Sequence, residues 1–180
     1  MRPILLAPLA ALLASLVCAG SAFASEVYGG LSSHGVNWGI TSCCYEPGPD
    51  IQFGLTSAPL KAVSRYGDFR VYGLGSVNTR GGVSFGAVGL GWRWHFGGRF
   101  YLQPGLGGAV QSGDTAGYQK TPNKLYLGSR FLFEPEGTLG YEISPKWAVE
   151  ASWTHISHAQ LAGPQNPGLD NLGGRLVYRF

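Results

Sequence analysis

A chain of 180 residues is one domain by size. Its net charge of +3, with 13% charged residues, lacks the basic footprint of a nucleic-acid binder. Glycine is abundant at 29 residues and aromatics reach 13%, against a single methionine, a mixture that suits short paired strands better than helices.

The N-terminus reads as an export signal. Arg2 precedes an apolar run from Ile4 to Val17, and Ala22-Phe23-Ala24 fits the small-x-small cleavage pattern. A signal peptide is expected over residues 1–24 and a mature domain over 25–180. The run is short for a spanning helix of ~20 residues. A lipoprotein site at Cys18 is disfavoured by the residues before it, Ser15-Leu16-Val17. Cleavage removes Arg2 from the 13 Lys+Arg, leaving 12 against 10 Asp+Glu, or +2. It also leaves two adjacent cysteines, Cys43 and Cys44. Their Cα atoms lie ~3.8 Å apart, below the usual disulfide separation of ~4.4–6.8 Å, so they read as two loop thiols.

After position 24 the chain is a series of segments of ~10 residues with period-2 character, broken by Gly, Pro, Asn and Asp. That pattern is the signature of an all-β, eight-stranded antiparallel transmembrane β-barrel of the outer membrane. The predicted strands run over 26–40, 50–60, 68–79 and 83–96, with Val88, Leu90, Trp92, Trp94 and Phe96 on one face of the fourth. Gly97-Gly98 is a hairpin turn into the fifth, 99–112. Residues 113–126 form the longest polar loop. In the sixth strand Phe131, Phe133, Leu139, Tyr141 and Ile143 alternate against Glu134, Glu136, Thr138 and Glu142. The seventh places Trp147, Val149, Ala151 and Trp153 opposite Ala148, Glu150, Ser152 and Thr154. The eighth starts at Asp170, beside the end of the seventh, and ends the chain with Leu172, Gly174, Leu176, Tyr178 and Phe180 on one face. An even strand number puts both termini at the periplasmic side.

In a small barrel the apolar face meets lipid and the interior holds polar side chains. Glu150, Ser152 and Thr154 therefore point inward, where the strand acids are expected to pair with Arg93 or Arg175. By parity His155 and Ser157 continue the lipid-facing row near the outer end of the seventh strand. A polar pair on that face is costly and calls for a reason. Serine becomes a nucleophile when a base takes its proton, and histidine serves as that base when a carboxylate orients it. Asp170, beyond the loop 159–169, is the nearest acid. His155 and His158 fall on opposite strand faces and do not suit chelation, so no metal or cofactor is expected. His34 and His95 read as isolated, and the five tryptophans as interface aromatics.

The run His155-Ile156-Ser157-His158-Ala159, followed by Asn166-Pro167-Gly168-Leu169-Asp170 and a terminal strand, resembles the lipid A 3-O-deacylase family of the PagL type. The detailed match covers the last quarter of the chain. The resemblance implies an eight-stranded barrel whose Ser-His-acid triad lies on the lipid-facing wall. Ser157 would be nucleophile, His155 base and Asp170 the orienting acid, with Asn166 and His158 supporting the oxyanion and loop. The substrate would be lipid A or lipopolysaccharide of the outer leaflet, among membrane lipids; homodimerisation is left open. Two positions depart from the family pattern. His158 stands where the family has asparagine, and Asp170 where glutamate is usual. The alternatives are a non-enzymatic small barrel, adhesive or structural, and another lipid acyl hydrolase or transferase.

Overall fold

The structure, a computed structural model, describes residues 24–37, 46–115, 123–162 and 166–180. Eight antiparallel strands follow one another in chain order and close into a barrel through the pairing of first and last. They are β1 (Ala24–Ser33), β2 (Pro49–Ser57), β3 (Asp68–Asn78), β4 (Phe85–Phe96), β5 (Phe100–Gln111), β6 (Phe131–Glu142), β7 (Trp147–Ile156) and β8 (Leu169–Arg179). The expected all-β, eight-stranded barrel is the observed fold.

Alternation explains both faces. Val88, Leu106, Phe131, Val149 and Leu176 stand exposed on the outer wall, while Glu134, Thr138, Ser152 and Arg175 are buried inside. A closed barrel leaves no strand edge unpaired, which is what a backbone in lipid requires. At the end bearing the termini, Phe96, Phe100 and Tyr141 make one run of ring contacts and Trp147, Tyr178 and Phe180 another, as a periplasmic aromatic girdle. Gly97 and Gly98 turn β4 into β5 with φ of +57° and +79°, values that side chains resist.

The lumen is packed with paired polar groups. Arg93 forks onto Glu26 at 2.6 and 2.8 Å, and Arg179 reaches the same carboxylate at 3.0 Å. Of the four strand acids expected to pair with Arg93 or Arg175, only Glu136 does, meeting Arg175 at 3.2 Å. Glu134 accepts from the Tyr72 hydroxyl at 2.6 Å, Glu150 from Tyr101 at 2.7 Å, and Glu142 from Arg179 at 2.7 Å. A side chain at Gly140 would collide with the Tyr101 ring, so that glycine makes room for the inward tyrosine.

Element bounds differ in places from the sequence expectation. β1 stops at Ser33 rather than running to residue 40, because Gly35 turns the chain at φ +64° and His34 is drawn into a buried cluster. Residues 38–40 of that expected strand, Trp38 among them, and the expected loop thiols Cys43 and Cys44 lie outside the described residues. β8 begins at Leu169, one residue before the expected start, so Asp170 lies within the sheet beside the end of β7 as expected. A short 3-10 helix, Lys61–Tyr66, fills the β2–β3 connection, where the period-2 pattern lapses.

Candidate active site

The upper part of β7 sets the geometry. Trp153 and His155 occupy its outward row, and Ser157 extends that row one step beyond the strand. Ser157 stays in register because its N–H and C=O exchange hydrogen bonds with Phe133, at 3.1 and 2.8 Å. Between them the same register sets Pro135 opposite His155, so the ladder lacks one N–H at that step.

Across the other edge, Asp170 stands directly opposite His155. The His155 Nδ1 lies 3.0 Å from Asp170 Oδ1, and Asp170 is fully buried. The Asp170 main-chain carbonyl accepts from the Val36 N–H at 2.8 Å, which ties the strand start to the β1 side of the barrel. His155 and Ser157 keep the outward parity but are only 7% and 9% exposed, against 41% for Val149 on the same row. The row is therefore shielded where it becomes polar, which lowers the cost of placing these groups at the lipid wall. Ser157 Oγ makes no hydrogen bond to His155 among the described residues. Such contacts are often loose before substrate arrives.

The chain then turns sharply. Ala159 and Gln160 adopt φ of +50° and +61°, a left-handed pair rarely held by residues other than glycine. The Leu161 N–H closes the turn onto the His158 carbonyl at 2.9 Å. His158 is buried, and its Nδ1 accepts from the Ala162 N–H at 3.3 Å. Asn166 Oδ1 accepts from the His158 main-chain N–H at 3.1 Å. Both expected support residues therefore meet in this loop, and both act on its backbone. Residues 163–165 lie outside the described residues.

Sequence reading missed a second histidine site. His34, expected to be isolated, sits buried between two carboxylates, with Nδ1 2.8 Å from Asp50 and Nε2 3.1 Å from Glu46. Glu46 also accepts the N–H groups of Val83 and Leu125, at 2.7 and 2.8 Å, and so joins three outer connections. Asp50 accepts in addition from Ser76, Asn78 and Asn171. Both ring nitrogens of His34 are engaged by acids, leaving none to accept a proton from a nucleophile. The cluster instead ties Asn171, next to Asp170, into the lumen.

A family model described as "Lipid A 3-O-deacylase (PagL)" matches residues 50–179. The lipid A deacylase PagL of Bordetella bronchiseptica (strain ATCC BAA-588 / NCTC 13252 / RB50) is 32% identical over 88 residues, 49% of this chain and 46% of that protein. The chain thus aligns with about half the length of that curated relative. Among solved structures, the outer membrane enzyme PagL superposes with a TM-score of 0.58 at 16% identity, covering 87% of this chain and all of the other. That likeness is one of fold.

Proposed function

Because the chain belongs to the lipid A 3-O-deacylase (PagL) family, and is an outer-membrane barrel, we propose that it is a serine esterase that removes the 3-O-linked 3-hydroxyacyl chain of lipid A. The observation that carries the reading is the His155–Asp170 pair on the outer wall, at 3.0 Å, with Ser157 on the same row.

The steps follow from which nitrogen is already used. Asp170 engages Nδ1, so the His155 proton acceptor is Nε2. Ser157 Oγ attacks the ester carbonyl carbon as its proton passes to His155 Nε2. The tetrahedral intermediate collapses with cleavage of the bond to the sugar 3-oxygen, which leaves with the proton from His155. Water, deprotonated by His155, then attacks the acyl-serine and releases the hydroxy fatty acid with Ser157 restored. The oxyanion falls to the turn after the serine. The N–H groups of Ala159 and Gln160 take no partner among the described residues, and the left-handed pair presents them together. Asn166 spends its amide oxygen on His158, so its NH2 is the part able to serve an anion. A wall-mounted site suits a substrate whose acyl chains stay in the membrane.

The signal peptide over 1–24 and the barrel domain over 25–180 belong to the same proposal, and the intact mass of the exported protein tests that boundary. Mass spectrometry of lipid A from cells expressing the protein tests the activity. Loss of one hydroxyacyl chain supports the deacylase. Gain of a chain would make it a transferase, and an unchanged spectrum from correctly inserted protein a non-enzymatic barrel.

A further inference from the structure

We propose that Trp153 is a positioning residue of this site, whose indole N–H holds the Asp170 carboxylate with Oδ1 turned to His155. The inference rests on reading His155, Ser157 and Asp170 as the triad.

Trp153 precedes His155 by two residues on the outward row. In register it faces Leu172, which makes Asp170 its diagonal cross-strand neighbour. Its Nε1 lies 2.9 Å from Asp170 Oδ1, the same oxygen that meets His155 Nδ1 at 3.0 Å. The indole and imidazole rings are near parallel, at 24° with centroids 6.1 Å apart. Successive outward positions of β7 thus place two donors on one oxygen of a fully buried acid.

The chemistry of the donor matters. An indole N–H only donates, so it fixes the carboxylate without competing for the proton that the histidine shuttles. Aspartate has only two side-chain torsions, and a second donor on Oδ1 leaves little freedom to swing that oxygen away from His155. The tryptophan body meanwhile remains at the wall, apolar toward lipid and polar toward the acid. Trp94 and Trp147, other tryptophans of the wall, are both 42% exposed, whereas Trp153 is half-buried against the site.

The test uses the full barrel folded into bilayers containing lipid A, with kcat and KM for hydroxy fatty acid release measured for wild type, Trp153→Phe, Asp170→Ala and the double variant. Heat-modifiable gel mobility verifies folding. Phenylalanine keeps an aromatic ring and removes the N–H. The expected result is a kcat lower by on the order of tenfold in Trp153→Phe with KM within about twofold, and no further loss when Trp153→Phe is added to Asp170→Ala. An unchanged kcat, a loss confined to KM, or an equal loss in both backgrounds would overturn the inference. An Asp170→Ala enzyme as active as wild type would instead overturn the triad reading, and this inference with it. Should Trp153→Phe not fold, the Trp153 indole N–H resonance is compared between wild type and Asp170→Ala. An upfield move in the variant supports the hydrogen bond, and an unmoved resonance overturns it.

Discussion

His155 and Asp170 are cross-strand partners, residue opposite residue on β7 and β8, with Nδ1 and Oδ1 3.0 Å apart on the outward side of the barrel. The shorter acid, aspartate in place of the family's usual glutamate, reaches the imidazole because the strands themselves set it there. The pairing is a property of the sheet register, and the loop between the strands only has to permit it.

Asparagine at position 170 retains the shape of the acid but adds an NH2 that can donate to His155 Nδ1. The ring proton would then sit on Nε2, where the serine proton has to go. Asp170→Asn is expected to lower kcat by on the order of a thousandfold with the barrel intact, measured as initial rates of fatty acid release. Near-wild-type turnover would remove Asp170 from the triad.

His158 is the clearest departure from the family pattern, yet its ring acts on the backbone by accepting the Ala162 N–H at 3.3 Å. An asparagine amide oxygen can take that N–H, whereas alanine cannot. His158→Asn is therefore expected to keep activity within about threefold, and His158→Ala to lose on the order of tenfold. Equal losses in the two variants would show that the imidazole itself is needed.

The cluster at the outer end carries a pH dependence of stability. Burial opposes a charged His34, but hydrogen bonds to Asp50 and Glu46 outweigh it and raise its pKa from 6.5 to about 9. A folded value above the unfolded one means that the contribution is complete below about 6.5 and is lost as pH rises through about 9. Glu46 moves the other way. Burial raises it, yet His34 and the Leu125 and Val83 N–H groups bring it below its ordinary 4.5, so its contribution is present above that value and fades as pH falls through the lowered one. Protease resistance of the outer loops is expected to be greatest between about pH 5 and 6.5 and to decline from there to about 9, with that alkaline decline absent in His34→Gln. The same alkaline loss in both proteins would rule out His34 as its source.

Much of this was legible in the sequence because a barrel wall writes itself as alternation. Trp147, Val149, Ala151 and Trp153 announce one face of β7, and that parity carried His155 and Ser157 to the outer wall. Asp170 followed from proximity along the chain. What stayed hidden depends on register and closure. Trp153 meets Asp170 only as a diagonal neighbour, so its spacing alone reads as one more interface aromatic. His34, Glu46 and Asp50 meet through a connection that has no period, and Arg93 finds Glu26 rather than a nearer acid once β1 packs into the closed lumen. The shielding of His155 and Ser157 was equally hidden, since parity tells the direction of a side chain and not what covers it.

The central claim is that Ser157 is the nucleophile of a lipid A esterase. The most direct measurement compares purified wild type and Ser157→Ala, both folded into bilayers containing lipid A, for release of 3-hydroxy fatty acid by mass spectrometry. The expected result is release by wild type and none above background by Ser157→Ala, with identical heat-modifiable mobility. Equal release by the two proteins, or none by a correctly folded wild type, would contradict it.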